Sequence, residues 1–207
     1  MSRRGEMGSK INKGMEVQRV VDNIIDALQQ SLGTSAGRAN LANLRNSIGR
    51  PMSQSVQIWP LVYGFMPEYF LGDGMRITFQ ERAVFTSLGL YAIHQQGKAQ
   101  TVASREEKRR TVGESFRQLR MEEDSKAVDR RFNALITAQT YDELVHYLRQ
   151  MISLLKSKTD TTIDYGRLAQ DLYWFQRGYE EKLRLSWARD YYRIEKNKEE
   201  KGAEENE

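Results

Sequence analysis

A chain of 207 residues without a single cysteine can build neither a disulfide framework nor a thiolate metal site. No apolar run approaches the roughly 20 residues of a membrane helix and no signal-peptide pattern opens the chain, so a soluble, cytoplasmic protein is expected. The formal charge of +4 understates its basic character, because residues 195–207 hold six glutamates and three lysines, and the chain without them carries +7. Arginine outnumbers lysine 21 to 11, a bias that suits forked pairing with phosphate.

Residues 1–14 are polar and glycine-rich and read as a disordered basic arm. Val17, Val20, Val21, Ile24, Ile25 and Leu28 then recur at three- and four-residue steps, which predicts a helix over 15–32 ended by Gly33. A second helix is expected over 35–47, with Leu41 and Leu44 inward and Arg38 and Arg45 sharing the outer side, before Gly49-Arg50-Pro51 breaks it. The stretch 55–70 combines aromatics with two of the three prolines and reads as core packing rather than a base-stacking platform. Thr78 and Glu81 have capping-box spacing, and the helix they start stops near Gly97. Residues 98–110 then turn charged. They read as a domain boundary or exposed loop whose tip is a candidate for phosphate contact.

Beyond that loop, Arg109–Arg120 and Asp129–Ala138 put six arginines on two short helices. Thr111 and Glu114 again fit a capping box, and Arg110, Arg117 and Arg120 fall near one stripe because seven residues make almost two turns. In the second helix Val128, Phe132, Leu135 and Ile136 form the apolar face, so Arg130 points away from it and Arg131 flanks it, within reach of Asp129. Thr140 and Glu143 give a third capping box, followed by Leu144, Leu148, Met151, Ile152 and Leu155 on one face as far as Lys156. A last helical region runs from 165 to 192 with a break at Gly178, and 196–207 is a charged tail. The expected class is all-α, with small helical-bundle lobes at 15–97 and 111–195 joined by the charged loop 98–110.

Charge distribution points to the partner. No acid lies between Asp26 and Glu68, between Glu81 and Glu106, or between Glu143 and Asp160, and these windows hold Arg38, Arg45, Arg50, Lys98, Arg149 and Lys156. Uncompensated positive charge on braced helices is the footprint of a surface for a polyanion. Catalytic readings are weaker. Glu143-x-x-His146 has the spacing of a di-iron ligand pair but no second copy, and His94 has no glutamate three residues before it. Asp171 with Glu180-x-Lys182 has the residue types of a nuclease triad in a region of helical period, where a solvated face explains it better.

Several segments together resemble one family. They are Asn43-Leu44-Arg45, Gly49-Arg50-Pro51, Ile58-Trp59-Pro60, Ala92-Ile93-His94-Gln95-Gln96-Gly97, Ser115-Phe116-Arg117-Gln118-Leu119, Arg130-Arg131-Phe132-Asn133-Ala134-Leu135-Ile136-Thr137-Ala138, Asp164-Tyr165-Gly166-Arg167-Leu168-Ala169 and Trp187-Ala188-Arg189-Asp190-Tyr191-Tyr192. In this order, from about residue 16 to 193, they are similar to the small-subunit (CasB) family of the type I-E CRISPR Cascade surveillance complex. The resemblance implies a two-lobed helical protein, present as a pair beside the other Cascade subunits, without catalysis, cofactor or small-molecule substrate. It also implies a basic surface that steadies CRISPR RNA, target DNA and the displaced strand. The positions matching the family's basic surface are Arg45, Lys98, Arg110, Arg117, Arg130 and Arg131. Spacing and charge alone add Arg38, Arg50, Arg120 and Lys156. The alternative is a free-standing DNA-binding regulator with a helix-turn-helix around 111–138, which would read base edges and discriminate between sequences.

Overall fold

The computed structural model describes residues 3–194 apart from 75, 107–108 and 123–124, with side chains described from residue 13 onward, those of 121–122 excepted. The acidic tail and the side chains of Arg3, Arg4 and Lys10 lie outside the described residues. Within them the chain forms nine α-helices, three short 3-10 turns and one isolated parallel bridge, between Ala103 and Ile163.

Helix α1 spans Arg3–Gln30, and so includes residues 3–14 of the segment read from the sequence as a disordered arm. No proline interrupts 3–30, and extending a nucleated helix adds one bond per residue fixed. Helix α2 (Ser35–Ser47) is capped by the Thr34 hydroxyl, which accepts from the backbone N–H of Gly37. The proline-rich stretch 51–70 makes the three 3-10 turns and the short helix α3 (Trp59–Tyr63). Its Ile58, Val62, Met66 and Phe70 are buried, as expected of core packing, whereas its Phe65 and Tyr69 are exposed. Helix α4 (Phe79–Gln95) starts at the Thr78–Glu81 capping box, and α7 (Tyr141–Lys158) at the Thr140–Glu143 box. Between them lie α5 (Val112–Glu122) and α6 (Ser125–Ile136), and the chain closes with α8 (Tyr165–Gln176) and α9 (Glu180–Tyr192).

Helix α4 is buried on nearly every side, because α2, α7, α8 and α1 all pack against it. Helix α1 lays its Val17, Val21, Ile24 and Leu28 stripe most extensively on α8, and α5 packs on α9. Apolar residues from both sides of the 98–110 segment therefore enter one continuous core. Two close approaches fix this arrangement. A Cβ at Gly89 of α4 would stand 2.4 Å from Ile48, and one at Gly113 of α5 would stand 2.1 Å from the Trp187 carbonyl oxygen of α9.

The described residues of the 98–110 segment are fastened down, not free. Ser104 N–H donates to the Ile163 carbonyl at 2.9 Å, and Ile163 N–H to the Val102 carbonyl at 3.0 Å. Arg105 pairs with Asp26 of α1 at 2.5 Å, and Arg109 bridges Asp22 of α1 at 2.5 Å and Asp164 at 2.9 Å. Asp164 is also the N-cap of α8, accepting from Arg167 N–H, so one guanidinium ties the loop, α1 and the start of α8 together.

Candidate nucleic-acid interface

Three cations from separate elements converge at the C-terminal ends of α4 and α7. Arg45 comes from the last turn of α2, Lys98 follows Gly97 at the end of α4, and Lys156 lies in the last turn of α7. Partial burial, then the nearby charges of Arg45 and Lys98, hold the Lys156 ammonium below its ordinary pKa. Lys156 Nζ donates to Gln96 Oε1 at 3.2 Å, and Lys98 Nζ is 2.7 Å from the exposed carboxylate of Asp160. Like charges crowded in this way repel one another, and an incoming phosphate relieves that repulsion.

The other cations of α2 extend this group. Arg38 is exposed and its Nη1 donates to the Gly33 carbonyl at 2.7 Å. Arg50 is exposed in the turn after Gly49, whose φ of 76° lets the chain leave the helix sharply. On α7, Arg149 is exposed two turns before Lys156. It belongs beside the residues read from the sequence, and its signal was the acid-free window together with the seven-residue step to Lys156. Among the described residues, Arg38, Arg45, Arg50 and Arg149 have no carboxylate partner.

Helix α6 holds a second group. Arg130 and Arg131 are both exposed, and neither pairs with a carboxylate among the described residues. Their neighbour Phe132 is buried and stacks on Tyr191 of α9, with ring centroids 3.7 Å apart, which anchors the helix. Asp129, the acid within reach of Arg131 by sequence, is held elsewhere. Arg120 Nε donates to its Oδ1 at 2.7 Å, and the Tyr191 hydroxyl donates to the same oxygen at 2.8 Å.

The stripe expected on α5 is drawn into the fold. Arg120 is clamped to Asp129, with its guanidinium 5.1 Å from the Tyr192 ring. Arg117 is only 9 % exposed. Arg110 pairs with Glu106 and lies 3.5 Å from Glu114, so the acids flanking the stripe fold back onto it. Thr111 donates its hydroxyl to Asp190 Oδ2 at 2.6 Å, linking the start of α5 to α9.

Three of the residues weighed for catalysis, Glu143, His146 and Asp171, have structural partners. Glu143 Oε2 accepts from the N–H groups of Gln139 and Thr140 as part of the α7 cap, and His146 Nε2 lies 2.7 Å from Gln150 Nε2. Asp171 is buried, receives Arg167 and the Trp187 indole N–H, and has its pKa raised by burial. Among the described residues no group of three or more histidine or acidic side chains is placed to hold a metal ion, and no helix is long and apolar enough to cross a membrane.

The fold and the site thus define a class: an all-helical protein whose exposed arginines on α2, α6 and α7 stand without counter-charge among the described residues. The family model for CRISPR-associated protein Cse2 matches residues 40–192, which include all of α6 and α7 and the second half of α2, with Arg38 just outside. The chain belongs to the Cse2 family. It is 30% identical over 188 residues to CRISPR-associated protein Cse2 of Thermus thermophilus, covering 88% of this chain and 96% of that one. The crystal structure of CasB from Thermobifida fusca superimposes with a TM-score of 0.70 at 27% identity, over 86% of this chain and 98% of that one. A chain of a CRISPR RNA-guided surveillance complex shares the fold, with a TM-score of 0.65 at 18% identity over 85% of this chain and 93% of the other.

Proposed function

We propose that this protein is a non-catalytic small subunit of a CRISPR RNA-guided surveillance complex of the Cascade type, which grips CRISPR RNA, target DNA and the displaced strand by their backbones. Family membership supports the setting. The observation that carries the binding role is the set of exposed arginines (Arg38, Arg50, Arg130 and Arg131) without carboxylate partners among the described residues, joined by the crowded group Arg45, Lys98 and Lys156. Guide pairing reads sequence in such a complex, so an accompanying subunit contributes phosphate contacts that tip a near-balanced strand exchange. Arg120, clamped to Asp129, ties α5 to α6, while Arg110 and Arg117 are less available to a strand, the one paired with Glu106 and the other 9 % exposed. The other subunits, and a second copy of this chain, are its protein partners.

The test is fluorescence anisotropy with labelled RNA and DNA of unrelated sequences. Binding should be indifferent to sequence, and log K should fall with log salt at a slope of about −0.7 to −0.9 per phosphate contacted. The double variant Arg130→Ala, Arg131→Ala should lower affinity for every sequence and reduce the slope by about two, with melting unchanged. Discrimination between sequences by orders of magnitude would favour the free-standing regulator instead.

A further inference from the structure

A cleft of about 700 Å³ opens between the turn that leaves α2 and the outer face of α7. Its two walls carry cations that pair with no carboxylate among the described residues, Arg50 on the α2 side and Arg149 on the α7 side. Ile48, Phe85 and Val145 supply apolar lining, with Ser55, Thr86 and His146 among its polar members. Arg82 also lines the cleft and is already committed: it pairs with Asp142 at 2.6 Å and lies 4.2 Å over the Tyr141 ring. That pairing also neutralises Asp142, the carboxylate in the lining.

Two guanidinium groups without carboxylate partners among the described residues, in one cleft with apolar side chains, match the two halves of a nucleotide, its anion and its flat, weakly polar base. The volume lies within the range of small-ligand sites, which is about 300–1,000 Å³. Position argues for a strand as the source. Arg50 follows the helix that bears Arg38 and Arg45, and Arg149 precedes Lys156 by two turns, so the cleft lies between elements that both carry the cations of the basic face.

We infer that this cleft seats one unstacked nucleotide of a single strand bound along the basic face, its phosphate between Arg50 and Arg149 and its base against Ile48, Phe85 and Val145. The inference rests on the nucleic-acid reading proposed above and adds a ligand unit and an address to it. Base contact of this kind through apolar packing tolerates every base, which keeps the interaction indifferent to sequence.

The full-length chain is titrated into a single-stranded oligonucleotide of about 12 residues carrying an interior 2-aminopurine, a base whose emission rises when it unstacks; anisotropy of an end label on the same strand reports overall binding. Val145 is half-buried, so Val145→Trp fills the cleft without removing charge. It should abolish the emission change while altering the dissociation constant less than about threefold, since the phosphate contacts remain. Arg149→Ala, at an exposed position, should weaken binding about threefold to tenfold and reduce the emission change in step. Normal anisotropy with an emission change that is absent, or equal in wild type and Val145→Trp, overturns the cleft and leaves the basic face intact. No anisotropy change even at about 50 mM salt overturns the functional reading itself, and the strand as ligand with it. Saturation by AMP alone, lost in Val145→Trp, overturns the strand as the source. Displacement of the strand by hexaglutamate at equal concentration overturns the nucleotide in favour of an acidic protein segment.

Discussion

His94 is buried beneath the cations of α4 and α7, with its Nδ1 2.9 Å from the Tyr165 hydroxyl. Burial, helped by Lys98 and Lys156, holds its pKa down to about 4 against an ordinary value of 6.5, so the folded protein keeps it neutral. As pH falls below 6.5 the unfolded chain takes up this proton first. The contribution of His94 to stability is thus fully present above about pH 6.5 and is lost toward pH 4, by up to about 3 kcal/mol. Chemical denaturation of wild type and His94→Gln should show a smaller drop in unfolding free energy between about pH 7 and 4.5 in the variant. A second pair of variants separates a bracing arginine from one proposed to bind. Arg120→Ala leaves Asp129 without its guanidinium and should cost about 1–3 kcal/mol of stability with little change in nucleic-acid affinity. Arg130→Ala removes an exposed, unpaired cation and should change stability by less than about 0.5 kcal/mol while weakening binding. Urea unfolding beside anisotropy reads both, and the opposite order would reverse the two roles.

At the scale of the element, α5 and α9 touch backbone to backbone where Gly113 meets Trp187. Gly113→Ala must force them apart and should destabilise the protein by about 1–3 kcal/mol, read as a lowered thermal midpoint. That contact also marks what a sequence can disclose. The capping boxes at Thr78 and Thr140, the apolar stripes of α1 and α7, and the breaks at Gly33, Gly49, Gly97 and Gly178 are local signals, and each falls where the spacing placed it. The fate of the α5 arginines depended on acids brought to them by the tertiary fold. Periodicity put Arg120 on a stripe, but no local pattern showed that α6 and α9 would carry Asp129 and Tyr191 to it. Arg105 and Arg109 escaped in the same way, because Asp22 and Asp26 lie about eighty residues earlier in the chain. The exposed cations of α2 and α6 were legible because the sequence leaves α2 without any nearby acid, and because Phe132 fixes which way α6 faces.

Over the whole molecule, basic surface and helical core have separate dependences on salt. Raising salt from about 50 to 200 mM should cut nucleic-acid affinity steeply, by an order of magnitude for every two to three phosphates contacted, because counterion release scales with the number of contacts. The thermal midpoint should move little over the same range, since Arg109, Asp22 and Asp164 are largely shielded from solvent and such pairs are screened far less than exposed ones. A midpoint that fell in parallel with affinity would show that the surface charges hold the fold together.

The broad seam between α1 and α8 has a consequence during synthesis. The stripe of Val17, Val21, Ile24 and Leu28 leaves the ribosome long before residues 165–176 that cover most of it. At ordinary elongation rates that interval is roughly 10–30 s, during which a nascent chain shows a greasy helix to its surroundings. Prematurely terminated products of this gene should therefore be clients of chaperones and proteases, and assembly of any larger particle must wait until the last quarter of the polypeptide has emerged.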